Sequence, residues 1–307
     1  NNAAGFIGHI LKMNLEQKHI DHIKSAFGKM QSKEDLLHLM NEVKPFIYGK
    51  KTVPFELKQL TFYSNPKLGG KRYYEFKIKK KSGNQRSINA PVKGLKALQK
   101  TLGLILSCIY EPSTATTGFA RGKSVVDNAK IHTGNNYIYN LDLKDFFSSI
   151  DQARVWKTLQ LQPFNLNNNF SSAFDKKDEI EEFKIENGWI SIKNKNRGRL
   201  YLANLLATLC CTKLEVERKN INGDWVKLYL NVLPQGAPTS PLLSNIVCQK
   251  LDFLLTGVAK RFGLKYSRYA DDITFSSMHN VYQSDSKFLK ELHRIIAEQN
   301  FHIKESK

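Results

Sequence analysis

Cysteine is scarce in this chain: four in 307 residues, two of them adjacent at Cys210 and Cys211. That pattern is neither a disulfide framework nor a zinc signature, so the four read as reduced core residues of a cytoplasmic protein. Long apolar runs are missing too. None approaches the ~20 residues that a membrane-spanning helix needs, and the N-terminus shows no secretory leader. An initiating Met is also absent, since the chain opens on Asn1, as a processed or engineered piece would. Acidic residues are in short supply: 28 Asp and Glu face 47 Lys and Arg, a formal net charge of +19. An excess of that size points to a polyanionic partner, either nucleic acid or an anionic membrane surface. What the chain does have is 41% hydrophobic residues, ample for the core of one large domain or two ordinary ones.

Against this basic background, two acidic stretches stand out. In Tyr269-Ala270-Asp271-Asp272, adjacent carboxylates lie between two strand-like runs, 264–268 and 273–276. A tight turn there puts Asp271 at a hairpin tip. Taken alone, an Asp-Asp pair is most simply a solvated turn. The second stretch is Tyr139-Asn140-Leu141-Asp142-Leu143-Lys144-Asp145-Phe146-Phe147, where Asp142 interrupts an otherwise apolar strand-like run. An Asp buried there needs a metal, a cation or a hydrogen-bond network. Two strands that each deliver a carboxylate to one point make a site for a hard divalent cation.

A third stretch, Leu233-Pro234-Gln235-Gly236-Ala237-Pro238-Thr239-Ser240-Pro241, is a rigid Pro/Gly-shaped turn leading into a helix. The three stretches, in this order, resemble the palm motifs of reverse transcriptases, and more narrowly the bacterial retron and group II intron branch. The resemblance runs from about residue 73 to the C-terminus. It implies an α+β fold: the fingers and palm of a right-hand polymerase, the palm an antiparallel sheet backed by helices. Residues 1–60 read as an N-terminal helical extension that packs on the body or contacts RNA. Residues 61–135 read as fingers, to which part of 160–260 returns, and 136–307 as palm with an insertion at about 162–232. The family's thumb is expected beyond this point.

The chain between 73 and 91 reads as a strand, a Gly-containing turn and a second strand. By resemblance this is the hairpin whose basic residues, here Lys80 and Arg86, grip the triphosphate of an incoming nucleotide. An Arg fork and a Lys point charge suit a phosphate chain. The 93–110 stretch has the apolar spacing of a long amphipathic helix. Its basic residues Lys93, Lys96 and Lys100 face either a template backbone or water. Gly118-Phe119-Ala120-Arg121-Gly122-Lys123-Ser124 has the wrong Gly and Lys spacing for a P-loop. In the family this stretch lies near the template, which makes Arg121 and Lys123 nucleic-acid candidates. Asn128-Ala129-Lys130-Ile131-His132 is similar to a signature of retron enzymes, with His132 either at the nucleic acid or simply packed. Phe147 resembles the family's steric gate against ribonucleotides. In an alternating strand its neighbour Phe146 would then face the core.

The helical pattern of the N-terminal segment is expected to stop at Pro45. A further helix is expected over 200–214, followed by a β-hairpin turning at Asn222-Gly223. Arg268 reads as a possible plain strand charge. The resemblance places Gln235 near the incoming nucleotide. It also implies a Lys after the last palm strand that protonates the leaving pyrophosphate, Lys307 or, as runner-up, Lys304. The metal ligands it implies are Asp142, Asp271 and Asp272, with the backbone carbonyl of Leu143, holding two Mg²⁺ ions or Mn²⁺ in their place. The partners it implies are an RNA template, a DNA or RNA primer, deoxynucleoside triphosphates, a cognate structured noncoding RNA and an effector or toxin protein, in anti-phage defence and without a membrane. Three other readings stay open: a group II intron-type reverse transcriptase, an abortive-infection polymerase that works without a template, and a non-catalytic RNA-binding module that kept the fold.

Overall fold

A computed structural model of the chain describes residues 15–79, 83, 85–167, 183–186, 189–192 and 198–304. Two helices come first, α1 (Gln17–Lys29) and α2 (Lys33–Tyr48). Ser32 starts α2 with a reciprocal capping box, its hydroxyl accepting from the Asp35 amide while the Asp35 carboxylate accepts from the Ser32 amide. The helix does not stop at Pro45 as expected. Pro45 forfeits its own amide bond, yet the helix runs on and its last turn closes through Gly49 N–H donating to the Pro45 carbonyl at 2.9 Å. Ile23 and Phe27 of α1 and Leu36, Leu39, Met40 and Val43 of α2 are buried in the same apolar core as the rest of the chain. The N-terminal helices therefore pack on the body.

After α3 (Leu57–Ser64), strands β1 (Tyr73–Lys79) and β2 (Gln85–Pro91) form an antiparallel hairpin. Helix α4 (Lys93–Ile109) follows and is the axis of the core: Leu95, Leu98, Leu102, Ile105 and Leu106 all lie inside. Helix α5 (Val125–His132) begins at another capping box, Ser124 with Asp127. Strand β3 (Tyr137–Asp142) then enters a three-stranded antiparallel sheet.

Between β3 and its partners come α6 (Gln152–Leu159), the short hairpin β4 (Phe183–Glu186) and β5 (Trp189–Ile192), α7 (Arg199–Cys210), and the long hairpin β6 (Thr212–Lys219) and β7 (Trp225–Val232). The expected turn at Asn222-Gly223 is present, with Gly223 at φ 88°. The expected helix over 200–214 is shorter. It ends at Cys210, and Leu214 belongs to β6, where it pairs with Leu230. From Thr212 onward the side chains alternate in exposure, the period of a strand.

Helices α8 (Ser240–Val247) and α9 (Gln249–Arg261) lead to β8 (Lys265–Tyr269) and β9 (Asp272–Ser277), and α10 (Lys287–Glu298) closes the core. The sheet order is β3-β9-β8. Helices and small antiparallel sheets combine as the α+β reading expects. Among the described residues no single helix is long and apolar enough to cross a membrane.

Candidate active site

The edge strand β3 ends on Asp142, which pairs in register with Asp272, the first residue of β9. Directly opposed residues in an antiparallel pair project to one face. Strands β8 and β9 join through a two-residue turn, Ala270-Asp271, with Tyr269 opposite Asp272. Ala270 sits at φ 59°, in the position that such turns usually give to glycine. A non-glycine residue held there costs on the order of 1–3 kcal/mol, so the surroundings must enforce it. One restraint joins the acidic stretches directly: the Leu143 amide donates to the Asp271 carbonyl at 3.0 Å.

Asp142 is half-buried, and Asp271 and Asp272 open to solvent at the rim. Enough protein nevertheless crowds Asp271 that dehydration lifts its carboxyl above the ordinary carboxylate range. The Asp142 charge adds to the rise, while Arg86 and Lys304 oppose it. Among the described residues no three His, Cys, Asp or Glu side chains form a group able to hold a metal ion. That does not argue against Mg²⁺, which is commonly bound through one or two carboxylates with water and substrate phosphates completing its shell. A carboxylate whose proton affinity is raised by burial and by a second carboxylate fits such an ion.

Arg86 lies on β2, paired with Ile78 of β1, and its charge reaches Asp271. Lys80 and Lys307 fall outside the described residues. Lys304 is inside them: its amide donates to the Asp142 carbonyl at 2.9 Å, and its charge also reaches Asp271. Gln235 is half-buried, and its carbonyl accepts from the Asn89 amide of β2 at 2.7 Å. Gly236, at φ 119°, has no room for a side chain, because a Cβ would meet Ile88 Cγ2 at 2.8 Å and the Asn89 carbonyl oxygen at 2.9 Å. The turn bearing Gln235 is thus docked on the strand bearing Arg86.

Phe146 is buried and Phe147 half-buried, the division expected of a core residue and a gate. The reason differs from the expected strand alternation. Residues 144–149 form turns, with Asp145 at φ 48°. The Phe147 ring lies 6.3 Å from Phe119, which lies 6.4 Å from Tyr269. Phe119 thereby joins the aromatic wall beside the carboxylates, a placement the linear sequence did not signal. Lys93 is exposed and Lys96 half-buried in the first turns of α4, and Arg121 and Lys123 are exposed on the loop after Gly118.

His132 does not stand at a nucleic-acid face. It is 5% exposed, its Nδ1 is 2.7 Å from the Ser276 hydroxyl of β9, and its Nε2 is 2.7 Å from the Ser267 hydroxyl of β8. Both ring nitrogens are occupied inside the protein. Burial, with Lys265 nearby, lowers its pKa and keeps the ring neutral.

Arg268 is no plain strand charge either. It is 0% exposed and forms a bidentate pair with Asp252 of α9. The signal for this was present: Asp252 falls in an apolar helical run and Arg268 beside the acidic turn, each in need of a partner.

A family model described as reverse transcriptase (RNA-dependent DNA polymerase) matches residues 78–307. Among curated proteins the chain is similar to the retron Mx65 reverse transcriptase of Myxococcus xanthus, 33% identical over 69% of this chain and 42% of the relative. It is 32% identical to the retron Ec86 reverse transcriptase of Escherichia coli, over 67% of this chain and 49% of the relative. It is 34% identical to the retron Mx162 reverse transcriptase of Myxococcus xanthus, over 66% of this chain and 35% of the relative. The chain spans less than half the length of each of these relatives. With the acidic strand end opposed in register to the acidic hairpin, the Gln-Gly turn docked on the strand bearing Arg86, and three quarters of its length within the family model, the chain belongs to the reverse transcriptase family.

Proposed function

We propose that this site carries out RNA-templated DNA synthesis of the retron type, adding deoxynucleotides to a primer hydroxyl. The observation that carries the reading is the register of β3 on β9, which brings Asp142 opposite Asp272 and beside Asp271 from stretches about 130 residues apart in the chain. Asp142 and Asp271 would hold the metal ions, with Asp272 and the Leu143 carbonyl assisting. Two bound Mg²⁺ ions, or Mn²⁺ in their place, supply activation of the primer hydroxyl and charge neutralisation at the departing pyrophosphate.

The chain's own groups orient and neutralise. Arg86, together with Lys80 as the resemblance implies, would clasp the triphosphate by a planar fork and a point charge. Lys304, or Lys307 as the resemblance implies, would give a proton to the leaving group. Phe147 would floor the sugar and exclude a 2′-hydroxyl. Gln235 would lie along the nascent pair, held there by its backbone bond to Asn89. Positioning and charge compensation of this kind account for most of the rate in such a reaction.

The partners in this reading are an RNA template and a DNA or RNA primer. Similarity to retron enzymes extends it to a cognate structured noncoding RNA, a defence role and an effector protein.

The test is primer extension by the full-length protein on an RNA template with Mg²⁺, beside Asp271→Asn. Wild type is expected to extend, and the variant to lose roughly 100-fold or more while keeping its thermal unfolding temperature. Equal extension by both proteins rejects the assignment.

A further inference from the structure

Behind the Ala270-Asp271 turn lies a buried polar cluster built on Arg268. Arg268 Nε and Nη2 donate to the two Asp252 carboxylate oxygens, each at 2.7 Å. Its remaining nitrogen, Nη1, donates to the Asn245 side-chain oxygen at 3.1 Å and to the Ala270 carbonyl at 3.0 Å. Asp252 also accepts from the Tyr266 hydroxyl at 2.7 Å and the Thr116 hydroxyl at 2.8 Å. Asn245 donates to the Gly118 carbonyl at 2.8 Å. Arg268, Asp252 and Asn245 are each 0% exposed.

A buried ion pair is poor evidence of stability, because dehydrating two charges costs about as much as their attraction returns. An apolar pair would fill the same volume. What an apolar pair lacks is a donor aimed at the Ala270 carbonyl. That carbonyl belongs to the residue held at φ 59°, immediately before Asp271. The main chain of Arg268 is pinned as well. Its amide donates to the Ala115 carbonyl at 2.9 Å, and its carbonyl accepts from the Thr117 amide at 2.9 Å. Asn245 lies on α8, the helix that the Gln235 turn leads into.

We propose that Arg268, clamped by Asp252 and Asn245, is a positioning residue. Its guanidinium fixes the Ala270 carbonyl, sets where the Asp271 carboxylate points, and ties that direction to the helix behind the Gln235 turn. The inference rests on the polymerase reading above, in which Asp271 holds metal. Arg268→Lys keeps the charge but not the fork. Asn245→Ala removes one arm and leaves the ion pair intact. Leu292→Ala, in the core face of α10, serves as the control for lost stability alone.

Three readouts separate the roles in the full-length protein: thermal unfolding, Mn²⁺ binding followed by the ion's paramagnetic resonance signal without substrate, and primer extension. Arg268→Lys is expected to weaken Mn²⁺ binding roughly 10-fold or more, the usual effect of removing a partner that orients a ligand. Extension should fall by a similar factor at saturating nucleotide and recover partly at high Mn²⁺, with nucleotide KM unchanged. Asn245→Ala should show a smaller loss of the same kind, which keeps the test alive if Arg268→Lys does not fold. Leu292→Ala should lower the unfolding temperature with wild-type Mn²⁺ binding.

If the position-268 and position-245 variants bind Mn²⁺ as wild type does, or lose binding only in step with unfolding as Leu292→Ala does, the inference is overturned while the polymerase reading stands. A wild-type protein that neither binds Mn²⁺ nor extends a primer overturns both.

Discussion

Gly118 has no side chain because the Tyr269–Ala270 peptide occupies the place where one would go. A Cβ built there would lie 2.5 Å from the Ala270 nitrogen and 2.9 Å from the Tyr269 carbonyl carbon. No flexible side-chain end is available to yield, so the backbone of the acidic turn must move. Gly118→Ala is therefore expected to destabilise the fold by about 1–3 kcal/mol, the usual range for overpacking. It should also reduce primer extension by roughly 10-fold or more, since small misplacements of reacting groups are amplified in rate. Thermal unfolding and single-turnover extension check the two parts. A variant with wild-type extension would show that the close approach leaves Asp271 undisturbed. Asp271 and Asp142 were legible in the sequence as acids out of keeping with their surroundings. Gly118 was not, because a requirement for empty space set by residues about 150 positions away leaves no periodic trace.

At the scale of elements, most strands and helices could be read from spacing, while the β4–β5 hairpin was not. The β8–β9 hairpin, β3, the β1–β2 hairpin and α4 all show the period of the structure they adopt. Where the reading failed, a general positional rule did not hold at that place in the chain. A proline was expected to stop α2 and does not, and a strand was expected to carry Phe146 and Phe147 where turns do. The Arg268 network left only the signal of two charges in need of partners, since its members come from α8, α9, β8 and the segment near Thr116. His132 shows the same limit and leads to a measurable outcome. Its ring bridges Ser267 of β8 and Ser276 of β9 from the end of α5, clasping the rear of the acidic sheet. Burial depresses its pKa, so the unfolded chain binds a proton more readily than the folded one. Stability from this group is complete above the ordinary histidine value of about 6.5 and is lost as pH falls from there through the depressed value. His302 shifts in the same direction, through dehydration and nearby Lys219, Arg218 and Lys144, and adds to the loss. Unfolding temperature measured from about pH 7.5 down to about pH 5 should therefore decline, and His132→Gln should decline less steeply. An identical slope in the variant would mean that the clasp does not titrate.

Over the whole molecule, the excess of 19 positive charges is not spread evenly in purpose. Some cations are spent on architecture. Arg268 is buried against Asp252, and Arg199 donates to the Gly28, Met30, Phe164 and Asn165 carbonyls. Lys144 pairs with Glu217 while lying over the Trp225 ring. The basic side chains proposed above to meet nucleotide and template are placed otherwise: Lys93, Arg121 and Lys123 are exposed, and the Arg86 charge acts on Asp271. Each exposed cation that meets a phosphate displaces a condensed counterion, so affinity for nucleic acid should fall linearly in logarithmic salt. A footprint of roughly 6–10 phosphates would weaken about 10³–10⁵-fold between roughly 50 and 200 mM salt. This gives a way to decide whether the start of α4 faces template or water. If Lys93 and Lys96 each touch a phosphate, replacing both with Ala should weaken binding to all template sequences alike and flatten the salt slope by about 1 for each phosphate left without its lysine. If they face water, the slope stays at the wild-type value. Titrating a labelled template–primer duplex with full-length protein across a salt series measures that slope directly, and Arg121→Ala with Lys123→Ala in the same series tests the loop after Gly118 by the same count.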